Sequence, residues 1–315
     1  MNRKFALIGF ILTICLMASL AISKAAAETQ KGDWTMQKSE TPGKLEFSLI
    51  THNRHGNSNH ESEWPVTAFQ GLEYSKPGKQ DVRFTITRDA GRFDCEGYLQ
   101  DGEGAGLFHF SPDPGYTQKM KSIGFDGIDD EKQFSMAVFD VSVDFANQMK
   151  GEHLSDLDTE KLISFRIFNV KADFIRDLRA AGLPATDSDK LVAFRIHGVT
   201  PEMAKTLRQS GYQPDEETLI AMRIHGATPE WIAELKKAGY DHIALEELIA
   251  FRIHGVSPEF IGKLQSLGYR HPEPEQLVAM RIHGVTPEYI ENLKSRGLKN
   301  LSIDQLVTMR IHGID

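Results

Sequence analysis

The C-terminal part of the chain repeats one phrase, and this periodicity constrains the fold more than any other feature. The phrase reads LVAFRIHGVTPE from Leu191 and recurs with small changes from Leu219, Leu248 and Leu277. A shorter copy, LVTMRIHGID, begins at Leu306, and successive copies start 28, 29, 29 and 29 residues apart. A fixed period of this length is typical of a repeat array, in which each unit buries its apolar face against its neighbours.

Each repeat is predicted to form two short helices joined by a tight turn. In the copy from Leu248, apolar residues at helical spacing, Ile253 among them, predict a first helix that ends at Gly255. Ser257 and Pro258 then predict the start of a second helix. Helices this short are marginal alone, so stacking must supply the stability.

The array extends upstream in a degenerate form. LISFRIFNVKADFI from Leu162 and QFSMAVFDVSVDFA from Gln133 align with the clear copies at the same period. A single second helix is predicted before them, after Ser111. We therefore predict a helical repeat array over residues 111–315, with six full helix pairs and a half pair at each end.

Upstream of the array, over residues 28–110, the hydrophobic period changes from helical to alternating. Val82, Phe84 and Ile86 alternate with polar residues, and turn residues separate further short apolar runs. We predict a small antiparallel β domain of about five strands, docked on the first helices because it is too small to be secure alone. The predicted fold class is α+β, a small antiparallel β domain followed by an α-solenoid of two-helix repeats.

Residues 1–27 are predicted to be a secretory signal peptide. A basic start at Arg3 and Lys4 precedes a nearly apolar run from Phe5 to Ile22, and three alanines ending at Ala27 offer a cleavage site. The alternative is an uncleaved N-terminal membrane anchor, because the apolar run is about long enough to span a bilayer. We expect an exported protein, periplasmic or extracellular.

Cleavage would make the chain more acidic. It would remove Arg3, Lys4 and Lys24 from the 36 basic residues, leaving 33 against 44 acidic residues, a net charge of −11. This balance argues against nucleic acid and anionic membrane surfaces as partners. Cys95 would be the remaining cysteine, so an internal disulfide is not expected, and its strand-like context predicts a buried, unreactive thiol.

One arginine recurs at a fixed place in the phrase. At about 100° per residue, Arg252 projects into the apolar arc of its helix, so we expect it to be partly buried and paired with a carboxylate. The alternative function is an anion-binding strip. The arginine ladder comprises Arg195, Arg223, Arg252, Arg281 and Arg310, and the expected acceptors are Glu202, Glu230, Glu259 and Glu288.

One histidine recurs two residues after each arginine, on the opposite side of the helix. A metal site or a binding strip is the functional interpretation. Equivalent residues on helices about 8–10 Å apart are too far from each other to share a zinc ion, so a structural role at the helix end is favoured. The histidine ladder comprises His197, His225, His254, His283 and His312.

The polar segment 52–61 holds the remaining candidates for chemistry. His52, His55, His60 and Glu61 are residue types that bind zinc, although a polar hairpin loop is the commoner structure for such a segment. The tripeptide RHG, in which Arg54 would hold phosphate and His55 would be the nucleophile, is similar to the opening motif of histidine phosphatases. That family needs an α/β domain, which this short strand-rich region does not predict.

The repeat phrase, L-[IV]-A-[FM]-R-I-H-G-[VA]-[TS]-P-E, resembles repeats appended to some bacterial BlaR1-like M56 membrane metallopeptidases and to related secreted repeat proteins. The strand region VRFTITRDAGRFDCEG resembles the segment before such repeats, so the likeness covers about residues 45–315. The peptidase part is absent, because the sequence has no His-Glu-x-x-His motif. The resemblance implies an exported accessory or sensor-like module and carries over no activity.

These patterns favour a non-enzymatic protein-interaction scaffold that needs no cofactor, with a protein as its partner. The alternative is a metal-binding protein that uses segment 52–61, and a hydrolase ranks third.

The last copy stops where the others continue, and Leu306, Met309 and Ile311 keep the apolar pattern of interior copies. We expect this end to fold back on the preceding repeat or to dock on another chain, including a second copy.

Overall fold

The computed structural model describes residues 30–53 and 56–314, so the predicted signal peptide lies outside the described residues. Within them, a six-stranded sheet is followed by fourteen helices, and the predicted α+β fold class is confirmed. The sheet is antiparallel throughout, in the order β3-β2-β1-β6-β5-β4. The strands are β1 (Lys31–Lys38), β2 (Lys44–Asn53), β3 (Gly56–Pro65), β4 (Lys79–Arg88), β5 (Gly91–Gln100) and β6 (Glu103–Pro112).

The sheet has six strands where about five were predicted, and the described residues of segment 52–61 are strand rather than loop. Most of that segment belongs to the paired strands β2 and β3, where Leu49 stands opposite His60. β3 is an edge strand, so its polar side chains can face water while its main chain pairs with β2. Pairing by the main chain leaves little apolar signal in the sequence.

The sheet curls into a half-closed barrel around aromatic side chains. Phe47 of β2 and Phe84 of β4 have ring centroids 6.1 Å apart, although three strands separate them in the sheet. Phe69, just after a short 3₁₀ helix over Val66–Ala68, contacts both rings and closes the gap. Trp34 fits over Gly97, where an added Cβ would lie 2.7 Å from the indole ring. The core of the sheet therefore depends on a glycine facing a tryptophan.

The helices form two layers. The first helices of the repeats pack on one another, and the second helices pack on one another. The first helices are α2 (Asp130–Val138), α4 (Thr159–Ile167), α6 (Ser188–His197), α8 (Glu216–His225), α10 (Leu245–His254), α12 (Pro274–Ile282) and α14 (Ile303–Ile311). The second helices are α1 (Tyr116–Ser122), α3 (Val143–Gly151), α5 (Ala172–Ala180), α7 (Pro201–Gln209), α9 (Pro229–Lys237), α11 (Pro258–Ser266) and α13 (Pro287–Ser295).

The turn between the two helices of a repeat has the chemistry that the phrase predicts. Gly255 follows α10 with φ 73°, in the left-handed region that suits glycine at a helix end. Ser257 accepts a hydrogen bond from the N–H of Phe260, and Pro258 is the first residue of α11. Leu248 and Phe251 are almost fully buried between the layers.

The sheet docks on the first repeat through an aromatic cluster. The ring of Phe134 on α2 lies 5.9, 6.1 and 5.2 Å from those of Phe93, Phe108 and Phe110. The neighbouring Gln133 is buried, and its amide donates to the carbonyl of Ala90 at 2.7 Å. Apolar packing and satisfied hydrogen bonds together make the sheet a cap on the N-terminal end of the array.

An ion-paired carboxylate reinforces this junction. Asp140 accepts from Arg88 of β4 at 2.6 Å and from Arg166 of α4 at 2.8 Å. Asp140 has φ 56° and occupies the helix-end position that is glycine in the clear copies, such as Gly255. The first repeat therefore has a carboxylate at a turn where the clear copies have no side chain, and that carboxylate links the sheet to the next repeat.

We expect Phe134→Ala to lower the unfolding free energy by about 3–5 kcal/mol, because it leaves a cavity among three aromatic rings. The measurement is urea denaturation followed both by circular dichroism at 222 nm, which reports the helices, and by tryptophan fluorescence, dominated by Trp34 and Trp64 in the sheet. Both transitions should shift together. The matched control is Phe168→Ala, at a phenylalanine 37% exposed, which should cost less than about 1 kcal/mol. A shift confined to fluorescence would contradict coupling of the sheet to the array.

Candidate functional site

One arginine in each repeat bridges its own first helix to the preceding repeat. The Nε of Arg252 donates to the carbonyl of His225 at 3.2 Å, at the C-terminal end of α8. This end of a helix has unpaired carbonyls and a partial negative charge, which suit a guanidinium. The same bond joins Arg166 to Phe139, Arg195 to Phe168, Arg223 to His197 and Arg281 to His254.

The guanidinium of the same arginine also stacks on an aromatic ring of the preceding repeat. Arg252 lies 5.1 Å from the centroid of Trp231, at the start of α9. The residue of the repeat before Arg223 that corresponds to Trp231 is Met203, so Arg223 has no aromatic ring at this position. Stacking of this kind is worth about 0.5–1 kcal/mol at exposed sites. The other stacked pairs are Arg166 on Phe145, Arg195 on Phe174, Arg281 on Phe260 and Arg310 on Tyr289, at 4.7–5.1 Å.

The glycine that follows the first helix lies beside the arginine bridge. Gly226 has the left-handed conformation, with φ 74°, that ends α8. A Cβ at Gly226 would lie 2.8 Å from Nη2 of Arg252, and Gly255 has the same relation to Arg281, at 2.9 Å. In the first two repeats Asp140 and Asn169 take this place with φ 56° and 54°, and the arginine bond is still made. The left-handed conformation is therefore the requirement at this position, and glycine adopts it most easily.

The expected carboxylate partners of the arginines were wrong, and the expected partial burial was wrong for three of the five. Arg223, Arg252 and Arg281 are exposed, whereas Arg195 and Arg310 are half-buried. The acceptors of the Nε atoms of Arg223, Arg252 and Arg281 are main-chain carbonyls, not the repeat glutamates. Helical projection gave the direction of Cβ correctly, but the long side chain continues across the edge of its own helix to the preceding repeat. The side chains of the arginine ladder therefore join each repeat to the one before it.

The histidine ladder contributes to the bridge through its main chain. The carbonyls of His197, His225 and His254 accept the arginine bonds, while the imidazoles are half-exposed or exposed. Phe139 and Phe168 serve in the same way in the early repeats, so the bond does not require an imidazole. The role that this position has in all of these repeats is therefore to end the first helix and to offer its carbonyl to the arginine.

A row of exposed isoleucines runs along the face of the first helices. The residue that follows each repeat arginine is isoleucine in six successive repeats, and 48–57% of its surface is exposed. Half-buried apolar residues, such as Ile249 and Ala250, lie beside it on the same face. We call this set the isoleucine row: Ile167, Ile196, Ile224, Ile253, Ile282 and Ile311.

The isoleucine row was missed because Ile253 was assigned to the buried face. Ile253 lies two residues after Phe251, about 200° around the helix, and Phe251 is the buried residue. The sequence signal for the row is an apolar residue in every copy on the side of the helix opposite the buried residues. In the first repeat this place is taken by Val138, which is 5% exposed because the sheet covers it. The row is therefore covered at its first position and open at the next six.

Where the sheet meets the row there is a cleft of about 660 Å³. Its walls include Trp64 and Arg88 of the sheet and Ile167, the first open residue of the row. Arg88 lies over the ring of Trp64 at 4.4 Å and pairs with Asp140. The isoleucine row and this junction cleft form one continuous surface.

An acidic row borders the isoleucine row at the N-terminal ends of the first helices. Each member lies seven residues before an isoleucine, on the same helical face, and is exposed. The first three members of the row each pair with a lysine of the preceding repeat, as Glu217 does with Lys190 at 2.5 Å. Thr218, Glu247 and Gln276 replace that lysine further along. The acidic row comprises Glu160, Asp189, Glu217, Glu246, Glu275 and Asp304.

Of the predicted zinc ligands of segment 52–61, the structure describes His52, His60 and Glu61, and it does not bring these three together. His52 bonds to Asp33 at 2.6 Å, and His55 lies outside the described residues. His60 packs against Phe139, with ring centroids 5.6 Å apart. Glu61 is the next residue in β3, so its side chain points to the other face of the sheet.

One acidic trio lies close enough to share an ion among the described residues. It consists of Asp156, Asp187 and Asp189. These carboxylates already have partners in the fold: Asp156 accepts from the N–H of Ser188, Asp187 caps α6, and Asp189 pairs with Lys161. We assign the trio to the structure of the loop before α6.

The three apolar residues of the last helix differ in burial. Leu306 is buried, Met309 is half-buried against the core, and Ile311 belongs to the isoleucine row. The hydroxyl of Tyr289 donates to the carbonyl of Ile314 at 2.6 Å, so the last helix is held against the preceding repeat.

Cys95 is buried, and burial raises the pKa of its thiol, which keeps it protonated and unreactive.

No protein-family model matches the chain, and no curated protein is significantly similar to it. Among residues 30–53 and 56–314, no helix has the length and apolar character needed to cross a membrane.

We expect Arg252→Ala to lower the unfolding free energy by about 1–2 kcal/mol, because it removes a charged hydrogen bond and a stacking contact. Arg223→Ala should cost less, by about 0.5–1 kcal/mol, because Met203 stands in place of the aromatic ring. Urea denaturation measures both, with Lys263→Ala, at an exposed lysine of α11, as the control within about 0.5 kcal/mol of wild type. Equal losses for the two arginine variants would rule out the stacking contribution.

His60 makes stability depend on pH. Burial lowers the pKa of His60, so the folded chain favours the neutral ring. This contribution to stability is complete above the unfolded pKa of about 6.5 and is lost as pH falls through the folded pKa. We expect the unfolding free energy to fall between about pH 7.5 and 5 by more in wild type than in His60→Phe. His283→Gln, at an exposed histidine, should keep the wild-type slope; a wild-type slope in His60→Phe would refute this role.

Proposed function

We propose that the protein is a non-enzymatic interaction scaffold and that its isoleucine row binds a protein partner. The observation that carries this proposal is an apolar residue exposed at the same place in six successive repeats. A protein surface has scattered apolar residues, but a continuous apolar strip marks a contact surface. Stacked helix pairs also provide an extended, rigid support for such a strip.

The other residues of the phrase have structural roles, and this strengthens the proposal. Leucine and phenylalanine or methionine fill the core, arginine forms the bridge, glycine ends the first helix, and threonine or serine with proline begins the second helix. The isoleucine is more than half exposed in five of its six copies. A binding role accounts for it where packing does not.

Export and an accessory or sensor-like role are part of the same proposal. Their support is the apolar leader over residues 1–27 and the resemblance of the phrase to repeats that accompany membrane metallopeptidases. A partner outside the cytoplasm fits both. The proposal includes no catalytic step and no cofactor.

The test uses a photo-activated crosslinker in place of single residues of the full-length chain in its native cells. We expect a defined partner protein to be captured from position Ile253. Two matched controls are Leu107, an equally exposed apolar residue on the outer face of the sheet, and Gln265, exposed on α11. Neither should capture that partner. Capture of the same protein from all three positions, or of no protein from any position in the row, would overturn the proposal.

A further inference from the structure

The isoleucine row lies on the inner side of a curved array. From α6 to α14 the first helices pack more closely with one another than the second helices from α7 to α13 do. Both layers contain the same repeats, so closer spacing in one layer curves the array towards that layer. The row therefore lies along a shallow groove whose shape suits an elongated partner.

We propose that this groove receives an amphipathic α-helix of the partner protein, with its apolar stripe on the isoleucine row and a basic flank against the acidic row. This inference rests on the proposed function and names the kind of partner. Binding of a helix in an apolar groove is a recurrent mode of recognition, with anchors at helical spacing.

The isoleucine row suits a helix better than an extended strand. Adjacent helices pack about 8–10 Å apart, so six isoleucines span about 40–50 Å. A helix presents equivalent apolar residues every seven positions, which is about 10.5 Å along its axis and near the upper end of this spacing. A helix also pairs its own main-chain groups, whereas an extended strand would lay unpaired N–H and C=O groups over the apolar row. A helix of about 27–33 residues would cover the whole row.

The charges along the groove indicate the flanks of the partner helix. One edge carries the acidic row, and its last three members have no lysine in the preceding repeat at the place that pairs with the first three. The opposite edge carries the repeat arginines, of which Arg223, Arg252 and Arg281 are exposed. A partner helix with lysine or arginine on one flank and acidic residues on the other would satisfy both edges.

A second copy of this chain fits the surface less well. Two copies presenting the same face would bring two inward-curving surfaces together, and these would touch at their ends and leave a gap at the isoleucines. Interfaces need close complementarity to be stable. The occupant that the curvature, the apolar row and the charges at its edges favour together is a helix.

The test extends the crosslinking experiment from one position to three. Crosslinkers placed singly at Ile224, Ile253 and Ile282 are activated in native cells, and the attached residues of the partner are identified by mass spectrometry. We expect the three positions to reach one segment of one partner, at residues about seven apart in sequence order along the row. Attachment sites about three apart, as in a strand, or scattered over several segments would overturn the helix proposal.

Two further outcomes separate this inference from the proposed function. A crosslinked species of twice the mass of the chain would show that the occupant is a second copy, so the helix proposal would fail while the row remained a binding surface. Absence of any crosslink from all three positions would refute both.

A variant completes the design. Ile224→Gln with Ile253→Gln and Ile282→Gln should reduce capture from Ile196 by about tenfold or more. Leu107→Gln with Leu298→Gln, which also removes exposed apolar residues, should leave capture unchanged. Undiminished capture by the triple variant would overturn the inference, provided that circular dichroism shows both variants folded.

Discussion

The array depends on the arginine bridge between consecutive repeats. Core leucines would allow neighbouring units to slide, because apolar packing has little direction. The bridge has direction: Nε of Arg252 must meet one carbonyl at the end of α8, and its guanidinium must lie between Trp231 and Gly226. In the observed register of the two repeats, both contacts are made at once. Repetition of the bridge at five junctions then sets the spacing of the whole face.

The sequence predicted the architecture of this array because its signals are local. Caps such as Ser257, the left-handed Gly255 and the 29-residue period each act within one repeat, so one sequence contains them in full. The bridge was beyond such reasoning. Helical projection describes Cβ directions on one helix, whereas the partners of Arg252 lie 27 and 21 residues earlier, in another unit. The stacking of the guanidinium on the ring of Trp231 was therefore not foreseen.

The sheet was predicted less well, for the opposite reason. β1 and β3 are held by main-chain pairing to neighbours chosen by the fold, and β3 has little apolar pattern of its own. From the sequence, segment 52–61 therefore resembled a loop with metal ligands. In the structure, alternation along β3 places the side chains of His60 and Glu61 on opposite faces of the sheet. The docking of the sheet on the array could be anticipated from size, but the use of Asp140 where the clear copies have glycine could not.

The junction also bears on the meaning of the isoleucine row. In the first repeat, the sheet covers Val138 at the place that the isoleucines occupy later, so this face can accept a packed neighbour within the chain itself. The following six positions keep an apolar side chain without such cover, although the copies vary between phenylalanine and methionine in the core. A polar residue there would leave the bridge, the caps and the core intact. Retention of isoleucine at every open position is therefore better accounted for by the proposed partner than by the contacts that the fold itself provides.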